Sequence, residues 1–123
     1  MNTSKTFAAL VSLFCLNLFF SQLSSADDAI NGEKIFKAYC AHCHNNNDEE
    51  SRVGAPGLKD VLSRHDEAWI NQWIKSPESL VKTDHKALQI SKSNRFGLTM
   101  PTLPAMQEEQ NRRDVIAYLK TLE

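Results

Sequence analysis

Two cysteines and a histidine are the first residues in this chain whose spacing suggests chemistry. They stand in the pentad Cys40-Ala41-His42-Cys43-His44, and a C-x-x-C-H pattern is typical of covalent c-type haem attachment. Residues three apart lie on one side of a helical turn, so both thiols can reach the two vinyl groups along one side of a porphyrin. The next residue, His44, is then placed under the ring, where its imidazole can ligate the iron.

Three other interpretations of the pentad compete with haem attachment. A thioredoxin-like redox pair belongs in an alternating strand–helix pattern, which this sequence does not show. A disulfide suits an oxidising compartment, but it gives no reason for His44. A zinc site with His42 and His44 needs a second ligand pair at finger spacing, and none follows in the sequence. We therefore favour covalent haem.

The first 26 residues predict a secretory signal peptide. Lys5 provides a positive start, residues 7–20 are apolar, and Ser24-Ser25-Ala26 supplies small residues before a cleavage point. A spanning helix needs about 20 apolar residues, so we favour a cleaved leader over an uncleaved anchor. The mature chain, residues 27–123, is then a single domain in the periplasm, without stable insertion in the membrane.

The composition excludes further classes of protein. The chain carries 14 Lys and Arg against 15 Asp and Glu, so it lacks the basic excess that nucleic-acid binding requires. Four of the six phenylalanines belong to the leader, which leaves the mature domain with a thin apolar core. Small domains of this kind usually need a disulfide, a metal or a cofactor for stability, and here the pentad would provide the cofactor.

Three segments with apolar residues at helical spacing are expected to position the pentad. They span residues 29–39, 66–75 and 108–122. Asp66 is expected to cap the second of these helices, which ends before Pro77. In contrast, residues 81–98 are polar and show no clear periodicity, and residues 45–52 are interpreted as a solvated loop.

Together, the pentad and these helices resemble the class I, single-haem cytochromes c of bacterial periplasms. The resemblance covers residues 29–123. In that family a glycine lets the first helix cross closely against the last one, with an aromatic residue one turn later, and Gly32 and Phe36 match this pair. Val115 and Tyr118 would face them. The resemblance implies an all-α, cytochrome c-like fold, with three main helices and one or two short ones around one covalent haem c.

The resemblance also implies a sixth ligand for the iron. Met100-Pro101-Thr102-Leu103-Pro104 resembles the family's distal loop, so Met100 is expected to place its thioether opposite the proximal histidine. His85 is the alternative ligand. Met106 is interpreted as a packing residue, and His65 as an exposed one.

The loop beyond the pentad resembles the family's proximal loop at Gly54-Ala55-Pro56-Gly57-Leu58. This implies that the carbonyl of Pro56 accepts a hydrogen bond from the second ring nitrogen of His44, which fixes the ring plane of the ligand. It also implies that Leu58 packs on the face of the haem.

The helix over residues 66–75 resembles an aromatic-rich helix that walls the haem edge in the family. Trp73 is the expected donor of an indole N–H to a haem propionate, with Trp69 as the alternative. Plain core packing, with the N–H on a backbone carbonyl, remains an equal interpretation.

The function that the resemblance implies is one-electron transfer rather than catalysis. The partners would be a redox protein donor and a redox protein acceptor in the periplasm, with the chain either free or a cytochrome subunit of a larger oxidoreductase. The alternative is a haem protein with an open or labile sixth site, of the sensor or peroxidase-like kind.

Overall fold

The computed structural model describes residues 26–123, and within this range the chain is helical and contains no β-strand. The helices are α1 (Ala29–Ile35), α2 (Val61–Arg64), α3 (Glu67–Lys75), α4 (Pro77–Thr83), α5 (His85–Ser93) and α6 (Glu109–Lys120). A π-helical turn (Phe36–Cys40) continues α1, and a 3-10 turn (Pro104–Gln107) precedes α6. The predicted all-α fold is confirmed. Residues 1–25 of the predicted signal peptide lie outside the described residues.

Helices α1 and α6 cross in close contact at Gly32. A Cβ atom at this position would collide with the carbonyl oxygen of Asp114 and would lie 3.0 Å from Cβ of Tyr118. One turn later, the rings of Phe36 and Tyr118 pack with their centroids 5.2 Å apart. The first and last helices therefore meet as the resemblance implies, and their contact fixes where the pentad begins.

A buried carboxylate joins the start of α1 to α6. Asp114 accepts hydrogen bonds from the backbone N–H of Asp28 at 2.9 Å, from Asn31 Nδ2 at 2.7 Å and from Gln110 Nε2 at 2.7 Å. Burial opposes ionisation of Asp114, but these hydrogen bonds outweigh it and hold the pKa of the carboxyl below its ordinary value. The charged carboxylate is therefore the form that stabilises this helix pair.

A buried guanidinium joins α6 to α3 and to the 3-10 turn. Arg112 donates from Nε to Asn71 Oδ1 at 2.9 Å, and from Nη1 to the carbonyl oxygens of Met106 at 2.6 Å and Gln107 at 2.9 Å. These carbonyls end the loop that carries Met100, so Arg112 anchors that loop to the helical frame.

The core is one cluster of buried apolar side chains from the π-helical turn, α2, α3, the 3-10 turn and α6. Its members are Phe36, Val61, Ile70, Ile74, Met106, Val115, Ile116, Tyr118 and Leu119. Met106 is fully buried, which confirms its interpretation as a packing residue. Among the described residues, no helix is long and apolar enough to cross a bilayer.

Two of the helices were not apparent from the sequence pattern. The stretch 81–98 contains the end of α4 and all of α5, although it shows no clear periodicity. Each of the two helices has a single buried residue, Pro77 in α4 and Ala87 in α5, so neither presents a wide apolar face. Local signals start them instead: Pro77 is at the first turn of α4, and Asp84 caps α5 by accepting from the N–H of Ala87 at 2.7 Å.

Candidate functional site

The pentad begins where α1 widens into its π-helical turn. Predicted as ordinary helix to residue 39, this segment instead passes into a wider turn from Phe36 to Cys40. The carbonyl oxygen of Cys40 then accepts from the backbone N–H of Cys43 at 3.0 Å and of His44 at 2.8 Å. These two bonds fold the pentad into a tight turn, which brings both thiols and the imidazole to the same cleft.

The two cysteines differ in their surroundings. Cys40 is half-buried and Cys43 is exposed, and the described residues contain no disulfide between them. Burial, together with the nearby Cys43, raises the pKa of the Cys40 thiol to about 11. The Cys40 thiol is therefore protonated at neutral pH, and both cysteines line the larger part of the cleft.

His44 is held in one tautomer by the chain itself. Its Nδ1 lies 2.8 Å from the carbonyl oxygen of Pro56, and because a carbonyl only accepts, Nδ1 carries the proton. Burial lowers the pKa of His44, partly offset by the bond to Pro56, so the imidazole is neutral at pH 7. The unprotonated Nε2 is left as a lone pair suited to a metal.

The loop that supplies Pro56 is fixed by backbone constraints on both sides. Gly54 has a φ of +73°, a conformation that favours glycine, and a Cβ at Gly57 would collide with the carbonyl of Asn47. The backbone N–H of Leu58 donates to the carbonyl of Asn45 at 3.0 Å. Residues 45–52 are therefore more than the solvated loop expected from the sequence, since they form the backing of the Pro56 loop.

His44 and Met100 line the same cleft, which has two adjoining parts. The larger part encloses about 440 Å³, within the range of cofactor pockets. The residues that line both parts are Cys40, His44, Pro56, Trp73, Ile90 and Met100. The smaller part is also walled by Leu58 and by core side chains of α6. Ile90 is a wall residue that the sequence did not reveal, because α5 itself was not predicted.

The other candidate ligands lie elsewhere in the described chain. His85 is exposed in the first turn of α5 and is not among the residues that line the cleft. His42 is exposed, with its Nε2 3.1 Å from the carbonyl oxygen of Ala38. In the part of the chain that the structure describes, no three His, Cys, Asp or Glu side chains are arranged to hold a metal ion. The described residues therefore give no support to the zinc interpretation of the pentad.

Three aromatic rings form one wall of the cleft. Trp69 packs between His65, at a centroid distance of 4.9 Å, and Trp73, at 5.3 Å with nearly parallel planes. The expectation that His65 is exposed is wrong: it is half-buried because it packs on Trp69. Trp73 lines the cleft, but the indole N–H that is buried without a hydrogen-bond partner among residues 26–123 is that of Trp69.

The donor set of this cleft suits a flat, apolar macrocycle that carries an iron ion and acidic side groups. An imidazole Nε2 and a thioether are ligands that haem iron accepts, and two thiols stand at the edge. The apolar walls would bury the ring, and the unpartnered indole N–H of Trp69 has no other acceptor in the described chain. The residues present therefore fit haem.

Comparison with known proteins agrees with this assignment. Residues 29–123 match the family model of cytochrome c. The chain is 30% identical over 105 residues to cytochrome c2 of Rhodopila globiformis, covering 77% of this chain and 93% of that protein. It is 25% identical over 100 residues to cytochrome c of Nigella damascena, covering 77% and 90%. Cytochrome c from Rhodothermus marinus superposes with a TM-score of 0.67 at 26% identity, covering 76% of this chain and 75% of that one.

Proposed function

Because the chain belongs to the cytochrome c family, whose members transfer electrons through covalently bound haem, we propose that it is a periplasmic electron carrier with one haem c. The haem is attached through Cys40 and Cys43 and is ligated by His44 and Met100. The observation that carries this proposal is that His44, fixed by Pro56, shares one apolar cleft with Met100.

The residues of the chain have separate tasks in this function. Cys40 and Cys43 hold the haem covalently, which prevents its loss. His44 presents Nε2 to the iron, and Met100 presents its thioether, a combination that raises the reduction potential. When bound, the haem supplies a one-electron couple between ferric and ferrous iron. Because His44 and Met100 would both stay bound to the iron, the change of redox state would require little rearrangement of the chain.

Side chains at the cleft complete the environment of the ring. Leu58, which lines the smaller part of the cleft, would pack on the ring, and the buried apolar wall would keep water away from it. The family resemblance implies an indole donor to a haem propionate, with Trp73 as the expected residue and Trp69 as the alternative. The unpartnered N–H of Trp69 favours Trp69 in that role.

The ligand assignment is tested by replacing Met100. In Met100→Ala the oxidised protein should lose the weak iron–thioether charge-transfer absorption, and its reduced form should bind carbon monoxide. His85→Ala is the matched control, since this exposed residue lies away from the cleft and its loss should leave the absorption intact. Retention of the absorption in Met100→Ala would contradict the assignment of Met100 as a ligand.

The same measurement decides between the carrier and a haem protein with an open sixth site. If the unmodified reduced protein binds carbon monoxide readily, the sixth position is open or labile, and a sensor or peroxidase-like function replaces electron transfer. A colourless protein after expression with haem-attachment machinery would contradict both.

The partners follow from the same proposal. A periplasmic carrier accepts an electron from one redox protein and passes it to another, and the predicted leader supports this compartment. Alternatively, the chain is the cytochrome subunit of a larger oxidoreductase. Size-exclusion chromatography of the native periplasmic extract distinguishes these, since a free carrier without its leader elutes alone, at a mass below the 13.9 kDa of the full chain.

A further inference from the structure

Asn94 joins the two loops that meet at the mouth of the cleft. Its Nδ2 donates to the carbonyl oxygen of Val53 at 2.9 Å, a hydrogen bond between residues 41 positions apart in the sequence. Both residues line the larger part of the cleft. The two loops are in close contact there, because a Cβ at Gly54 would lie 3.0 Å from Asn94 Nδ2. Asn94 therefore connects the loop that fixes His44 to the loop that carries Met100.

The side chain of Asn94 also organises the start of the distal loop. Its Oδ1 accepts from the backbone N–H of Phe96 at 2.8 Å and of Leu98 at 3.2 Å. The backbone carbonyl of the same residue accepts from the N–H of Gly97 at 3.0 Å. Asn94 is half-buried, whereas residues 95–99 are exposed. It thus ties three exposed residues of the distal loop to the rest of the domain.

The distal loop has a stiff end and a permissive end. After Met100 the backbone is restricted, since two of the next four residues are proline. Before Met100, Gly97 has a φ of +67°, and nothing in the described chain lies within 4 Å of its Cβ position. A movement that withdraws the Met100 thioether from the cleft is therefore easiest at the Asn94 end. Such a movement would break the hydrogen bond to Val53.

We propose that Asn94 is a positioning residue, which keeps the distal loop closed through its bond to Val53 and so sets how readily the Met100 thioether leaves the iron. This inference rests on the proposed function, in which Met100 is the sixth ligand. The ion pair of Arg95 with Glu50 at 3.0 Å runs between the same two loops. Both of its side chains are more than half exposed, so this pair contributes little. The partly buried amide of Asn94 is the stronger link.

The test uses imidazole, an external ligand that binds ferric haem once the thioether has left. Titration of the haem-loaded protein, followed by the loss of the iron–thioether absorption, measures the apparent affinity for imidazole. In Asn94→Asp the carboxylate still accepts from the two loop N–H groups but cannot donate to Val53. In Asn94→Ala both kinds of contact are lost. The only change that the two variants share is the missing Nδ2 donor.

Both variants should bind imidazole about tenfold more tightly than the native protein, because the closed loop has lost one partly buried hydrogen bond. Gln89→Glu is the matched control. It makes the same amide-to-carboxylate change at an exposed position of α5, outside the residues that line the cleft, and it should keep the native affinity.

Native affinity in either Asn94 variant would overturn the proposal. In Asn94→Asp it would show that the turn alone matters, and in Asn94→Ala that the added charge alone matters. If the variants do not fold, hydrogen exchange of the Asn94 Nδ2 protons is followed by NMR in the native protein. Loss of their protection when imidazole binds supports the proposal, and equal protection refutes it. A native protein without the iron–thioether absorption refutes the ligand assignment as well, whereas native affinity with this absorption present refutes the Asn94 role alone.

Discussion

At the scale of single residues, a buried acid stabilises the contact between the first and last helices. Asp114 is 2% exposed and accepts hydrogen bonds from Asp28, Asn31 and Gln110, two of which belong to the start of the described chain. Such an acid stabilises the fold only while it is ionised, because protonation removes acceptor capacity that these donors use.

Asp114→Asn should lower the free energy of unfolding by about 1–3 kcal/mol at pH 7, since the amide places an N–H₂ group among donors. The pKa of Asp114 is held below its ordinary value of 3.8, so its contribution is complete above that pH and is lost as the pH falls through the folded-state pKa. The difference in the free energy of unfolding between the native protein and Asp114→Asn should therefore become smaller below about pH 4. Guanidinium unfolding followed by circular dichroism, from pH 7 to pH 2, measures it.

Asp27→Asn is the control for this variant. Asp27 pairs with Arg113 at 3.3 Å on a partly exposed surface, and such pairs contribute about 0–1 kcal/mol. An Asp114→Asn deficit no larger than that of Asp27→Asn, or one that does not change with pH, would contradict the role given to the buried carboxylate.

Residue roles could be read from the sequence only where a local pattern constrains them. The pentad and the Met-Pro pair are such patterns, and the structure brings His44 and Met100 to one cleft. Nothing local indicates that His65 packs on Trp69, or which of the two tryptophans keeps a free N–H. Those facts depend on how α2 and α3 meet, and this angle is set by packing across the whole domain.

At the scale of helices, the frame depends on the close approach of α1 and α6. Gly32→Ala should destabilise the protein by about 3 kcal/mol or more, because the added methyl group collides with the backbone at Asp114 rather than with a movable side chain. Thermal unfolding measures the loss. Gly97→Ala is the matched control: nothing lies within 4 Å of its Cβ position, and only its φ of +67° costs about 1 kcal/mol. Equal losses in the two variants would show that the helix crossing tolerates a Cβ.

A second prediction at this scale concerns Arg112, which links α6 to α3 and to the distal loop. Arg112→Lys keeps the charge but removes the planar donor set that reaches Asn71, Met106 and Gln107 together. We expect a loss of about 1.5–3 kcal/mol in stability. We also expect the iron–thioether absorption to fade at a lower temperature than global unfolding, because the loop that holds Met100 loosens first.

Arg113→Lys provides the comparison, since Arg113 is partly exposed and pairs with Glu109 at 2.8 Å. Its stability and its thioether absorption should stay close to those of the native protein. If the absorption and the far-ultraviolet signal of Arg112→Lys melt together, Arg112 stabilises the fold without positioning the loop.

The helices that could be predicted are those with a buried face. Residues 66–75 and 108–122 have apolar residues at helical spacing, and they form α3 and α6 with shifts of one or two residues at the ends. Helices α4 and α5 bury one residue each, so a search for a wide buried face misses them, although α5 is amphipathic. The π-helical turn after α1 has no sequence pattern of its own, because it depends on how the first helix docks against α6.

At the scale of the whole molecule, the core is built around the cleft rather than beside it. Several core side chains, among them Phe36, Ile70, Val115 and Leu119, also line the smaller part of the cleft. The buried apolar cluster therefore has one side that the protein alone does not cover. A haem on that side would extend the core, which explains how a domain with so few large apolar residues is stable.

Detaching the haem should therefore weaken the entire fold, not only the site. In Cys40→Ser/Cys43→Ser the haem is bound only through its axial ligands and is lost on dilution, so the cleft wall meets water. We expect the midpoint of thermal unfolding, followed by far-ultraviolet circular dichroism, to fall by more than about 10 °C, since each kcal/mol lost from a domain of this size shifts it by about 4–8 °C. Cys43→Ser alone, which keeps one attachment, should lie between the double variant and the native protein. If the double variant melts at the native temperature once its haem has been removed, the protein core is sufficient to stabilise the fold. The haem would then contribute nothing to stability.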